Sequence, residues 1–327
     1  MRPITKPRFL SPFPREIVMS LGYNRPLYLL PFDHRHSYVT GMFHIAPPLT
    51  AAQHEQVVVS KQVIYDGFRR ALGREVPVAS AGILVDEEFG ADILRNAARN
   101  GFVTALSTEE SGAEEFEFEY GTEFERHIEA FQPTFAKALV RYNPEGDPAL
   151  NQRQTIRLRR LSDYCRTSGQ KFMFELLVPA TEAQKNRVRA EATSYDQRVR
   201  PALVIQTIRT LQDAGIEPDI WKVEGLDTRD DCERVVATAR RDGRDEVGCI
   251  VLGRGADERK VASWLQIAAS VTGFIGFAVG RTTFWNAIAD FVAKSITREQ
   301  AAARIAERYG EWAAIFERAH RPQANVA

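Results

Sequence analysis

Cysteine is scarce: Cys165, Cys232 and Cys249 are the only three in 327 residues, and they form no C-x-x-C pair. That argues against a disulfide framework and a structural zinc site, and suits a reducing compartment. No stretch approaches the roughly 20 apolar residues of a membrane span. The amino-terminal MRPITKPRFLSPFPREIV is broken by proline where a secretion signal needs an unbroken apolar run, so the expected location is cytoplasmic. Neither sign of charge dominates: 43 Lys and Arg balance 43 Asp and Glu. Without a block of like charge, neither nucleic acid nor a membrane surface is the expected partner. Internal repeats and low-complexity segments are also lacking. So is the G-x-G-x-x-G turn that a doubly wound dinucleotide-binding sheet carries after its first strand. The sequence there is FDHRHSY, with no glycine.

What is present is alternation. Short apolar runs rich in β-branched and aromatic residues are each followed by an amphipathic stretch. The strand candidates are Leu27–Phe32, Ala79–Val85, Val103–Ser107, Phe135–Tyr142, Lys171–Val178, Asp219–Glu224, Val247–Leu252 and Gly273–Val279. Helical patterns between them include Lys61–Leu72, Leu150–Ser168, Arg198–Ala214 and Asp257–Ala269, and Gly101, Gly169 and Gly215 stand at expected helix ends. Strict alternation implies parallel strands, because each crossover needs a helix to return the chain. Eight units over roughly 250 residues is the size of an α/β fold of the closed (β/α)8-barrel type. The expected organisation is an N-terminal arm over residues 1–24, then one barrel domain over 25–327 that includes an extra C-terminal helix from Thr297 to about Arg318. The long charged stretch Ala180–Gln197 reads equally as a lid or a solvated excursion.

In such a barrel the chemistry sits at the C-terminal ends of the strands, so charges embedded in apolar strands are the informative residues. Side chains alternate along a strand. In DIWKVEG, Trp221 and Val223 suit the layer under the helices, which turns Lys222 inward with Glu224. In KFMFELLVP the same reasoning turns Glu175 inward; in FAKALVRYN, Lys137 and Arg141 share a face; the first strand ends in Asp33. An amine attacks a ketone only when neutral, and at pH 7 only about one free lysine in 2,500 is. Burial and a second cation both lower a lysine's pKa, and Lys137 is placed to be that cation. Spacing alone is served equally by a buried Lys222–Glu175 ion pair without chemistry.

These residues carry a resemblance. FAK in the fourth strand, Glu in the fifth, WKVEG in the sixth and AVGRTTFW in the eighth resemble the class I aldolases. KQVIYDGFRRAL and SAGILVDEEFG are similar to bacterial tagatose-1,6-bisphosphate aldolases. LPFDHRHSY, ELLVPAT and PDIWKVEGLDTRDDC resemble more closely the 2-deoxy-5-keto-gluconate-6-phosphate aldolase domain family, which in many bacteria is fused to a sugar kinase of inositol catabolism. The likeness runs from about Arg25 to Ala319 and does not include the kinase. It implies Lys222 as the Schiff-base lysine and Glu175 as proton shuttle in imine formation. Lys137 would polarise developing charge and depress the pKa of Lys222. Asp33 would bind a substrate hydroxyl or take its proton. The implied reaction releases dihydroxyacetone phosphate and malonate semialdehyde from the keto-acid phosphate, without metal or other cofactor. A functional link to a sugar kinase is expected, and a homo-oligomer is compatible with the sequence.

A phosphate in this fold often rests on the loops after strands seven and eight, near a helix N-terminus. Those loops read LGRGADE and VGRTTFW, which makes Gly253, Arg254, Gly255, Gly280 and Arg281 the candidate phosphate cradle. Glycines let the backbone approach, and an arginine binds phosphate through two parallel hydrogen bonds. Arg254 is a departure, since the comparison aldolases usually carry a small residue there; that argues against a simple bisphosphate substrate. Arg35 and Arg141 are further rim cations. Glu109 reads as a helix-start or loop carboxylate, and His34 and His36 as loop or substrate-contact residues rather than metal ligands. The competing readings are a ketose-bisphosphate aldolase, a metal-dependent lyase and a barrel that binds a sugar phosphate without turning it over.

Overall fold

Eight parallel strands close in chain order, β1 through β8 and back to β1. The computed structural model describes residues 20–191 and 194–320. The strands are β1 Leu27–Pro31, β2 Ala81–Val85, β3 Val103–Ser107, β4 Phe135–Arg141, β5 Lys171–Leu177, β6 Ile220–Glu224, β7 Gly248–Leu252 and β8 Phe274–Ala278. Closure is made by pairing Leu27 with Gly276 and Leu29 with Ala278. Each run expected from the sequence holds a strand: β3 has the expected bounds, and the other seven are shortened by one or two residues at one or both ends.

Alternation sorts the side chains into two cores. Leu27, Leu29, Leu84, Phe135, Met173, Ile220 and Ile250 fill the lower barrel interior. Phe172, Phe174, Leu176, Trp221 and Val223 belong to the layer between barrel and helices. The lower interior is thus apolar, and the inward charges of the site sit at its upper end.

Helix starts follow capping chemistry. Thr50 and Gln53 form a reciprocal capping box that begins the helix Ala51–Ala71 ten residues before its apolar pattern becomes legible at Lys61. Thr181 and Gln184 form a second box, so Ala180–Gln197 is not one loop: it holds the helix Glu182–Ala190 and a turn of helix over Tyr195–Arg198. Its Glu, Gln, Lys and Arg residues are good helix formers without an apolar stripe, which is why periodicity passed over it.

The C-terminal helix Arg298–His320 packs on Ala51–Ala71 and on the helix Arg281–Val292. A Cβ at Gly67 would lie 2.6 Å from Ile305 Cγ2, so glycine is what lets the first pair approach. Tyr309 donates to the Tyr28 carbonyl at 2.6 Å, tying the helix to β1. At the other end, Gly22 N donates to Asp219 Oδ1 at 2.8 Å, and Tyr23 packs edge-on against Phe135 under the barrel. Residues 1–19 of the expected arm lie outside the described residues. Among the described residues, no helix is long and apolar enough to cross a membrane.

Candidate active site

The upper end of the barrel opens into a cavity of about 320 Å3. Asp33 and His34 after β1, Glu109 after β3, Glu175 on β5 and Lys222 on β6 line it, together with the loops after β7 and β8. Lys137, beneath them, is completely buried.

Three carboxylates meet on Lys137 Nζ: Asp33 Oδ2 at 2.7 Å, Glu109 Oε1 at 2.6 Å and Glu175 Oε2 at 2.9 Å. Burying a lone ammonium is prohibitive, but three anionic acceptors reverse the balance. Burial disfavours the charge, yet Asp33, Glu109 and Glu175 together raise the pKa of Lys137 above the ordinary lysine range. Lys137 is therefore a permanent cation. Glu175 also reaches Lys222 through its other oxygen, Oε1 to Nζ at 2.8 Å. Burial pushes the Glu175 carboxyl up, but Lys137 and Lys222 outweigh it and hold it below the usual range. Asp33 is likewise held well below that range: burial opposes its charge, and Lys137 is the strongest of the groups that favour it. For Glu109 burial wins, and its pKa is raised despite Lys137 and Arg35.

The four inward residues read from the sequence are thus brought together, with Glu175 bridging the two lysines. Glu109, read as a loop carboxylate, joins them: it accepts from Lys137 and from Leu139 N at 3.2 Å. Its signal was its position two residues past the end of β3, on the face of Ser107. His34, read as a loop or substrate-contact residue, lines the cavity as well. Its Nδ1 is buried and has no hydrogen-bond partner among the described residues. Burial first, then Arg281 and Lys222, outweigh Asp33 and Glu175 and lower its pKa to about 4.

The candidate cradle is partly assembled. Gly280 caps the helix Arg281–Val292, and a Cβ there would lie 2.3 Å from the Pro31 carbonyl oxygen. Gly255, at φ +72°, leaves room for the Arg281 guanidinium, 2.8 Å from where a Cβ would stand. Arg281 is exposed to the cavity and donates to the Arg254 carbonyl at 3.3 Å. The Arg254 guanidinium is engaged elsewhere, with Asp196 at 2.7 Å and the buried Glu224 at 2.9 Å. Arg35 donates to the Glu109 carbonyl at 2.6 Å and pairs with Glu119 at 2.7 Å, so it anchors the loop after β3 rather than standing free at the rim. Arg141 donates to the Ala113 carbonyl at 2.9 Å. Arg141 and Arg281 both line the cavity and form no ion pair among the described residues. Arg141 ends β4 and Arg281 follows β8, on opposite sides of the barrel. Among the described residues, no group of three or more His, Cys, Asp or Glu side chains converges as a metal site would require.

Comparisons with known proteins place the chain among barrels of this kind. A fructose-bisphosphate aldolase from Plasmodium falciparum, solved with TRAP and a small-molecule inhibitor, superposes with a TM-score of 0.60 at 13% identity, over 93% of each chain. The Corynebacterium glutamicum protein Cgl0159 gives 0.52 at 19% identity over 87% of each. A fructose-bisphosphate aldolase from Slackia heliotrinireducens gives 0.52 at 12% identity, over 86% of this chain and 85% of that one. Identities this low establish a shared fold. No curated protein matches the sequence. A family model does, over residues 22–320: that of DUF2090, an uncharacterized protein conserved in bacteria.

Proposed function

The chain belongs to the DUF2090 family, and from its site we propose that it is a class I aldolase that cleaves a phosphorylated keto-sugar acid through a Schiff base on Lys222. The observation that carries this reading is the Lys222–Glu175–Lys137 relay at the floor of an open cavity. A structural ion pair needs one cation per carboxylate and no access. Here the nucleophile candidate faces a space large enough for a sugar phosphate, and its proton has an acceptor at 2.8 Å in Glu175. Lys222 gives that proton up, attacks the ketone carbon and forms a carbinolamine. Glu175 returns the proton as water leaves, and the protonated imine becomes the electron sink for carbon–carbon cleavage. Lys137, a fixed cation, stabilises the carbinolamine oxygen and holds Asp33, Glu109 and Glu175 in place.

Arg281 with Gly253, Gly255 and Gly280 is suited to the phosphate. Arg141, across the mouth, is suited to a second anion, which favours a substrate charged at both ends. Two phosphates would serve that arrangement as well as a phosphate and a carboxylate, and this supports a ketose-bisphosphate aldolase as the second reading. The neighbours named fructose-bisphosphate aldolase are compatible with both. The resemblance of PDIWKVEGLDTRDDC and LPFDHRHSY favours 2-deoxy-5-keto-gluconate 6-phosphate. A panel of keto-sugar phosphates assayed for dihydroxyacetone phosphate release decides between them. Malonate semialdehyde as co-product is the expected result. Release from a ketose bisphosphate alone would select the second reading, and no release from any member would contradict both.

A further inference from the structure

Glu175 and Lys222 are register partners on the neighbouring strands β5 and β6. Their 2.8 Å contact therefore depends on how the two strands are held, and backbone pairing between them ends at Leu176 and Val223. A carboxylate extends the pairing at each end. Below, Asp219 Oδ2 accepts from Phe172 N at 2.8 Å; above, Glu224 Oε2 accepts from Val178 N at 3.0 Å. Side chains alternate along a strand, so Glu224 shares the inward face of Lys222. It is only 3% exposed, and a carboxylate so buried has to be paired. Its close partner is Arg254, whose Nε lies 2.9 Å from Oε1, while the Arg200 guanidinium stands off at 3.9 Å.

Arg254 reaches Glu224 from a left-handed backbone, φ +52°, a conformation that costs a residue with a side chain and persists where contacts impose it. Its Nη1 takes Asp196 at 2.7 Å, and next to Asp196 the Tyr195 hydroxyl donates to the Val178 carbonyl at 2.9 Å. The cluster thus fixes both polar groups of Val178, its N–H through Glu224 and its carbonyl through Tyr195. Arg254 stands on the cavity wall, yet a substrate anion would have to displace a protein carboxylate from it. The side chain is placed to hold the site rather than to bind in it.

We infer that Arg254 is a positioning residue for the reaction at Lys222: by neutralising Glu224 it fixes the upper ends of β5 and β6, and with them the alignment of nucleophile and proton acceptor. The inference rests on the Schiff-base reading above. Without the guanidinium, Glu224 is a buried anion whose nearest remaining cation is 3.9 Å away. It turns towards other partners, and Val178 N loses its acceptor. Removing one partner of a buried pair is more disruptive than removing both, because the charge left behind is uncompensated. Glutamine at position 224 removes that charge and keeps an oxygen for Val178 N. Substitutions at the two positions are therefore expected to compensate each other.

The test is the initial rate of borohydride trapping on Lys222, measured over a concentration series of two probes, dihydroxyacetone phosphate and unphosphorylated dihydroxyacetone. Arg254→Ala is expected to lower the rate at saturation by about 10-fold or more, equally for both probes, the scale of a misplaced reacting group. Half-saturation should stay within about threefold of wild type, and the double variant Arg254→Ala, Glu224→Gln should recover its rate to within about threefold. A saturating rate within about threefold of wild type in Arg254→Ala would overturn the inference. So would a loss confined to the phosphorylated probe or to half-saturation, which would make Arg254 a substrate contact. A double variant no faster than Arg254→Ala would assign the arginine to the general stability of its loop and also overturn it. Absence of trapping in the wild-type protein would remove the Schiff-base reading itself, and the inference with it.

Discussion

Glu175 is the residue whose two oxygens bridge the lysines, Oε1 to Lys222 at 2.8 Å and Oε2 to Lys137 at 2.9 Å. Replacing it with glutamine keeps shape and removes the charge that accepts the Lys222 proton. Turnover of Glu175→Gln should fall by roughly 100-fold or more, with imine formation slowed in step. A variant altered only in KM would move Glu175 from chemistry to binding. His34 makes a second residue-scale prediction, on stability. A histidine titrates near 6.5 in an unfolded chain and at about 4 here, depressed chiefly by burial. Protonation therefore favours unfolding. The contribution is fully present above about pH 6.5 and is lost as pH falls towards 4, about 3 kcal/mol in all. In urea melts, wild type should lose about 3 kcal/mol of stability relative to His34→Gln as pH drops through that window. Parallel curves would show that His34 is not held neutral by the fold.

At the scale of elements, legibility followed from how each element is stabilised. Strands were readable because both faces of each are apolar except at a few inward charges, and those charges marked the site. Lys222, Glu175 and Lys137 stood out as costly residues in apolar strands. Glu109 did not, because it lies beyond β3 in a loop that folds back on itself, Glu110 N donating to Glu117 O at 2.8 Å. The helix Glu182–Ala190 was hidden by lacking an apolar face, and the pairing of Ala51–Ala71 with Arg298–His320 by its distance along the chain. That pairing hinges on Gly67. Glycine costs a helix about 1 kcal/mol relative to alanine, yet Gly67→Val should destabilise by about 1–3 kcal/mol through overpacking against Ile305. A rise in the denaturation midpoint would contradict the close contact.

The loops after β7 and β8 divide their arginines in a way that sequence could not show. Arg254 clasps Asp196 and Glu224, which joins the β7 loop to the segment before the helix Arg200–Asp213. Arg281 faces the cavity. Arg281→Ala should lose roughly 30- to 1,000-fold in kcat/KM on a phosphorylated substrate and little on its unphosphorylated analogue, the scale of a lost charged hydrogen bond. Arg254→Ala should affect both substrates alike, since it acts through the loop. Equal losses for both substrates in Arg281→Ala would refute the phosphate role.

For the molecule as a whole, the barrel separates the part that makes it stable from the part that makes it reactive. Apolar layers fill the lower interior, and the charge cluster is confined to the upper end, where buried ammonium and carboxylate groups satisfy one another and still face a cavity. The central claim is that Lys222, and not the better-buried Lys137, is the nucleophile. The direct measurement is borohydride reduction in the presence of dihydroxyacetone phosphate, followed by peptide mapping by mass spectrometry. The account predicts a single adduct on the peptide containing Lys222, unaffected by EDTA and abolished in Lys222→Met. An adduct on Lys137, or none on a protein that still cleaves its substrate, would contradict it.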